Sequence, residues 1–213
     1  MSKARVLLAD DHRILAEGLR SLLEPEFELV GIVEDGRELI AKANQLQPDV
    51  IVADITMPSL NGIEAIEQLK KAGSNAKVVF LTMHHDVMYA NRAFEAGASG
   101  FVLKHSAPDE LLTAIRQALK GRTYVTPMIA GELMNLYKSG TGQQKNTLGK
   151  LTSRQREVLQ LLAEGKSAKE VAGILHISTR TVEFHKYHIM EELGIKTGAE
   201  LVQFAIRHGI ISI

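Results

Sequence analysis

Cysteine is absent from all 213 residues, which excludes disulfide bridges and thiolate metal sites and is compatible with the cytoplasm. Long apolar runs are absent too, since nothing approaches the roughly 18 residues that a membrane-spanning helix needs. The first residues pass directly into the strand-like Val6-Leu7-Leu8-Ala9, too short for the apolar core of a signal peptide. A cytoplasmic protein with no membrane partner is expected. The formal net charge is zero, so the chain as a whole lacks a strong basic excess. The charge is nevertheless uneven. Residues 1–123 carry a net −3, whereas residues 124–213 carry a net +3 and contain no Asp. An acidic front and a mildly basic rear predict two domains with different partners.

The first 120 residues alternate two kinds of pattern. Continuous apolar runs at 6–9, 29–33, 50–53, 78–81 and 101–103 are separated by helical periodicities at 12–23, 37–46, 62–71, 87–96 and 109–119. Uninterrupted apolar runs of this length read as strands buried on both faces. Five strand–helix pairs predict an α/β fold, a doubly wound five-stranded parallel sheet of order 2-1-3-4-5, with its ligand crevice at the carboxyl ends of the strands. Pro127 opens a further helical segment at 127–138, and the polar, Gly-containing stretch 139–146 reads as a flexible linker. The predicted domains are 1–122 and 148–213, with 123–147 between them. The rear domain reads as four short helices, at 154–163, 168–175, 180–193 and 197–208. Those at 168–175 and 180–193 are joined by the tight turn at 176–178, with Ser178 or Thr179 as the cap, which makes a helix-turn-helix.

Asp10 and Asp11 follow the first strand, Asp54 ends the third, Thr82 the fourth and Lys104 the fifth. A parallel sheet brings these ends to one edge. Three crowded carboxylates call for a cation, and an all-oxygen donor set suits Mg2+. Lys104 and Thr82 offer a compact positive charge and a hydroxyl, which suit the oxygens of a phosphoryl group. The adjacent His84 and His85 point apart on a strand end and make a poor two-His metal site.

This set, with Met57-Pro58 and Gly97-Ala98-Ser99-Gly100-Phe101-Val102-Leu103-Lys104, resembles the receiver domain of bacterial response regulators. The resemblance implies that Asp54 is the phosphoacceptor for a sensor histidine kinase. It also implies that Asp11, Asp54 and the Thr56 carbonyl hold Mg2+, with Asp10 assisting. Lys104 would pair with the phosphoryl oxygens, Thr82 would move in to bind one, and Phe101 would follow Thr82 as an aromatic switch that rests on packing alone. His84 and Thr56 would lie where side chains tune hydrolysis of the phosphoryl group.

The segments Leu151-Thr152-Ser153-Arg154-Gln155-Arg156-Glu157-Val158-Leu159 and Ser178-Thr179-Arg180-Thr181-Val182-Glu183-Phe184-His185, with Glu170-Val171-Ala172, resemble the LuxR-type DNA-binding domain. The whole chain is similar to NarL/FixJ-type response regulators. On the third rear helix Val182, Ile189 and Leu193 recur at helical spacing and should face the core. The opposite face presents Arg180, Thr181, Glu183, Phe184, Lys186, Tyr187 and His188, a basic and aromatic surface suited to a major groove. By position in the motif, Glu183, Phe184 and Tyr187 are expected to read bases. Arg180, His185 and Lys186 would meet phosphates, helped by Lys166, Lys169 and Thr179. Leu201, Val202, Phe204 and Ala205 on the last helix would pair with a second copy. The function expected is transcription control at promoter DNA by a regulator that dimerises when phosphorylated and is not an enzyme. The alternatives are a phosphorylation-independent DNA binder and an aspartyl-phosphate phosphotransferase or phosphatase.

Overall fold

All five expected strands form in a computed structural model that describes residues 3–106, 108–138 and 147–211, and they pair in parallel. They are β1 (Arg5–Ala9), β2 (Glu28–Val33), β3 (Val50–Ala53), β4 (Lys77–Thr82) and β5 (Gly100–Leu103). A sixth, β6 (Tyr124–Val125), extends the order to β2-β1-β3-β4-β5-β6. Two residues are too short to carry a period of their own, so this strand arises from pairing with β5 at Gly100↔Tyr124 and Phe101↔Val125. The chain divides into two compact units, one built on this sheet and the other helical, with the 3-10 turn Thr147–Lys150 ahead of its helices. The expected linker at 139–146 lies outside the described residues.

The helices of the first unit are α1 (Arg13–Leu23), α2 (Gly36–Leu46), α3 (Gly62–Lys71), α4 (Val87–Glu95), α5 (Pro108–Leu119) and α6 (Pro127–Lys138). Alternation along each strand sends Val6, Leu8, Val50, Val52, Val79, Leu81 and Val102 to one face. There they pack with Ala16, Leu19 and Leu23 of α1 and with Leu111, Ala114, Ile115 and Ala118 of α5. The intervening residues, including Leu7, Ile51, Phe80 and Phe101, are buried on the other face. Double-sided burial explains why β3 reads as an unbroken apolar run. All four of its residues are inaccessible, and the first residue free to be polar is Asp54 at its end.

In the second unit, α7 (Ser153–Ala163), α8 (Ala168–Leu175), α9 (Thr179–Leu193) and α10 (Gly198–Arg207) enclose a core of Leu148, Leu151, Val158, Leu159, Leu161, Val171, Leu175, Val182, Ile189, Leu201, Ala205 and Ile210. Local chemistry sets the helix starts. Thr152 with Gln155 and Ser167 with Glu170 form capping boxes, while Ser178 caps α9 and Thr197 caps α10. The α8–α9 turn begins at His176, which takes a left-handed conformation with φ 53° where glycine is the usual choice.

Gly62 opens α3 directly behind the phosphoacceptor candidate. Its N–H donates to the Ile55 carbonyl at 2.8 Å, and a Cβ added here would lie 2.0 Å from the Asp54 carbonyl oxygen. Glycine to alanine in a helix ordinarily stabilises by about 1 kcal/mol. Here the clash with backbone reverses the sign. Gly62→Ala is expected to destabilise the first unit by about 2 kcal/mol, read as a lower urea midpoint.

Candidate functional site

Four strand ends deliver the predicted acidic pocket. Asp10 follows β1, Asp54 follows β3, Thr82 closes β4 and Lys104 follows β5. Asp10 and Asp54 are 1% and 5% exposed. The Lys104 ammonium lies 2.6 Å from Asp54 Oδ2 and 2.7 Å from Asp10 Oδ2, so one cation serves two buried carboxylates. Asp54 Oδ1 accepts the Thr56 N–H at 3.3 Å. Asp10 Oδ2 is buried, and the Lys104 ammonium at 2.7 Å is its source of compensation.

The titration of the pocket follows from this sharing. Burial pushes the Asp54 carboxyl above its ordinary 3.8. Lys104 opposes that shift through charge and a hydrogen bond, while the neighbouring Asp10 charge adds to it. Burial alone would lower Lys104, but the charges and hydrogen bonds of Asp54 and Asp10 outweigh it and raise the ammonium above its ordinary 10.5. Asp11 is exposed beside them. Ligand atoms of Asp10, Asp11, His12 and Asp54 all lie within 4.8 Å of one another. With three carboxylates against one ammonium, full ionisation leaves two negative charges uncompensated. Oxygen donors in that balance suit a hard divalent cation. His12 was not among the expected residues. Its N–H donates to Asp10 Oδ1 at 2.9 Å, and its Nδ1 lies 2.9 Å from Asp11 Oδ1. The contiguous Asp10-Asp11-His12 was the available signal.

On the adjacent rim, Thr82 is fully buried and its hydroxyl accepts the His84 N–H at 3.2 Å, so it is turned into its own loop. His84 Nε2 lies 2.7 Å from the Thr56 hydroxyl, and its ring stacks on Tyr89 with centroids 4.3 Å apart. Burial holds His84 below the usual imidazole range and raises the Tyr89 hydroxyl to about 12. His85 points elsewhere and stacks on His105 at 4.4 Å. Phe101 is wholly buried in β5, beside Phe80 of β4.

In the second unit, Val182 and Ile189 turn one side of α9 inward, and Leu193 packs on the same core from its end. The other side carries Phe184, 59% exposed, and Tyr187, 65% exposed, together with exposed Arg180 and Glu183 and half-buried His185 and Lys186. Lys166, Lys169 and Thr179 are exposed on the neighbouring segments. Arg180 and Glu183 form no ion pair among the described residues, so Glu183 is not neutralised by its own helix. Thr181 differs from expectation. Its hydroxyl lies 2.8 Å from Ser178 Oγ, which also accepts its N–H, so this side chain serves the cap of α9. Burial, with Arg154 and His188 nearby, keeps the His185 imidazole below its ordinary range and so favours the neutral form. The last helix also departs from the sequence reading. Leu201 and Ala205 belong to the core of their own unit and Phe204 packs on it half-buried, so of the expected dimer face only Val202 and part of Phe204 lie outside that core. An amphipathic stripe shows which residues are buried but not whether the partner is the same chain or another.

Comparisons with known proteins agree with the two units. Residues 6–116 match the response regulator receiver domain, and residues 149–205 match the bacterial regulatory proteins of the luxR family. The oxygen regulatory protein NreC of Staphylococcus carnosus is 34% identical over 97% of this chain and 99% of its own length. A crystal structure of a LuxR-family two-component response regulator from Aurantimonas is 40% identical over 64% of this chain and 99% of that one, with a TM-score of 0.61. RcsB of Salmonella enterica, bound to a promoter in the presence of the phosphomimetic BeF3-, is 28% identical over 95% of this chain and 98% of that one, with a TM-score of 0.63.

Lys104→Met strands two buried carboxylates and is expected to cost about 3 kcal/mol of stability at neutral pH. The sign is set by the shifts. A raised Lys104 contributes below pH 10.5 and is lost as pH climbs through its raised value, whereas the Asp54 carboxyl, raised above 3.8, needs no partner once it is protonated as pH falls. Urea midpoints of the two proteins should therefore converge at both ends of the pH scale and differ most between them.

Proposed function

The chain belongs to the response regulators that join a receiver domain to a LuxR-type DNA-binding domain, and we propose that its switch is phosphorylation of Asp54. It is a transcriptional response regulator of a two-component system. The observation that carries the proposal is the paired placement of Asp10 and Asp54 around one ammonium, at the edge where four strands end. A sensor histidine kinase would supply the phosphoryl group. An Asp54 carboxylate oxygen forms the new P–O bond while the P–N bond to the kinase's phosphohistidine breaks. Lys104 then turns from the Asp54 carboxylate to the phosphoryl oxygens, and Thr82 leaves its loop to donate its hydroxyl to one of them. Mg2+ would be held by Asp11, Asp54 and the Thr56 carbonyl with Asp10 assisting, and when bound it neutralises phosphoryl charge. Supporting this, all four proposed donors are oxygens, and the three carboxylates face a single ammonium.

The wholly buried Phe101 ring would keep the vacated Thr82 position closed by packing, having no hydroxyl of its own. We take the pocket to act only on its own phosphoryl group and not as an enzyme on a separate substrate. Among the described residues the strand–helix connections of the first unit are short and include no inserted segment to cover one. The output is sequence-specific binding to double-stranded promoter DNA by α9, with Glu183, Phe184 and Tyr187 at base edges. Lys166, Lys169, Thr179, Arg180, His185 and Lys186 meet phosphates and sugars. His185 does so as a neutral donor, and Thr181 contributes through the cap it completes. Phosphorylation would promote a homodimer, so that two weak half-site contacts on one DNA reinforce each other. We place the protein in the cytoplasm, where promoter DNA and kinase meet, and no helix among the described residues is long and apolar enough to cross a membrane.

Incubation with acetyl phosphate and Mg2+ should label the wild type and leave Asp54→Asn unlabelled. The labelled protein should bind its DNA site at least ten-fold more tightly, a response Asp54→Asn lacks. Label retained by Asp54→Asn would refute the phosphoacceptor assignment, and equal DNA affinity in all states would favour phosphorylation-independent binding. Lys186→Ala should weaken binding to all sequences alike and lower the slope of log affinity against log salt by about 1.

A further inference from the structure

His188 lies one turn beyond Phe184 on the exposed side of α9, on the face expected to enter the groove but assigned no DNA contact of its own. Its Nδ1 is 2.9 Å from the Phe184 carbonyl oxygen. A carbonyl only accepts, so Nδ1 carries a proton, and in the neutral ring Nε2 is left as a bare acceptor. Two aromatic neighbours hold the ring in this orientation. It packs against Phe184 with centroids 4.1 Å apart and a tilt of 41°, and meets Tyr187 edge-on at 5.7 Å and 79°. Flipping the imidazole to exchange its nitrogens would give up the Nδ1–H bond to the carbonyl. In the neutral ring the chemistry offered at Nε2 is therefore set before any ligand arrives.

The same local unit recurs on α10, where His208 Nδ1 is 2.9 Å from the Phe204 carbonyl and the two rings stack at 3.9 Å. There Phe204 packs half-buried on the core of its own unit. On α9 the corresponding phenyl ring is 59% exposed, so the pair faces outward with nothing in its own unit to cover it. Helix geometry explains the pairing in both places. Only on α9 does it present a fixed acceptor beside an open apolar ring.

Resting on the reading that α9 enters a major groove, we propose that His188 is a specificity-determining residue. Its Nε2 accepts a hydrogen bond from an exocyclic base amine, adenine N6 or cytosine N4, while Phe184 packs on the methyl group of an adjacent thymine. A phosphate is the wrong partner for an unprotonated nitrogen, because both would be acceptors. In the groove, amines and methyl groups are the features that match an acceptor set beside an aromatic face. Glu183, immediately before Phe184 on the same helix, offers a second acceptor for an amine-bearing edge.

The full chain would be used to select bound sequences from random duplex DNA, followed by competition between single-base variants. His188→Ala should flatten the preference for an A or C at one position of each half-site by about three- to ten-fold, and that position's wild-type preference identifies the amine. Affinity for random DNA and the salt slope should stay as in the wild type. Phe184→Leu, or uracil in place of thymine, should weaken the preference at the neighbouring position. His208→Ala removes the same local unit away from the groove and controls for loss of helix stability. An unchanged base profile in His188→Ala would overturn the proposal. So would a uniform loss across sequences with the salt slope reduced by about one, because that marks a phosphate contact. If the wild type itself selects no sequence, the fault lies in the reading of the second unit as a sequence-specific binder.

Discussion

One ammonium shared by two buried carboxylates governs the first unit. Lys104 lies within 2.7 Å of both Asp10 and Asp54, at the end of a strand adjacent to neither β1 nor β3. Charges so placed are stable only while the sheet holds three strand ends in register. The interaction therefore reports the fold as much as it serves the site. It is also incomplete, because a single positive charge cannot balance Asp10, Asp11 and Asp54. Burial consequently leaves Asp54 raised even with Lys104 beside it. A pocket with that deficit favours added positive charge and yields its ammonium readily to a more highly charged group. Those two properties are what a reversible phosphoryl acceptor requires.

The second unit depends on a different economy. Few apolar residues close a small core, and four side-chain caps decide where each helix begins. Capping groups contribute about 1 kcal/mol each, a large share of the stability of so small a unit. With Val182 and Ile189 fixed inward, helical geometry leaves Glu183, Phe184 and Tyr187 no place but the surface. Exposed aromatic rings would be a liability on a monomer without a partner for that face. Under the proposed function, their presence beside basic groups is intelligible as a surface that DNA covers.

Much of this was legible before any coordinates. The five long strands, the helices between them, the start of α6 at Pro127 and the helix-turn-helix follow from period and capping chemistry, which act over a few residues. Asp54, Thr82 and Lys104 were legible as strand-end residues because parallel topology sends every carboxyl end to one edge. What escaped was set over longer distances or by competition. β6 exists only because β5 offers it an edge. Thr181 was placed on the DNA face by spacing, yet Ser178 engages its hydroxyl. Leu201 and Ala205 were apolar enough for a dimer face, but their own core takes them.

Sequence alone determined the alternation of buried strands and amphipathic helices, the helix caps, and the presence of three acids, a hydroxyl and a lysine at strand ends. These are local properties, and the residues state them directly. Only the tertiary structure decided that Lys104 sits between Asp10 and Asp54, that His84 holds Thr56, and that His188 turns Nδ1 to the Phe184 carbonyl. Each of those depends on distances between atoms that belong to different strands or successive turns. A hydrogen bond or an ion pair changes its meaning within an ångström, and no pattern of residue types resolves that.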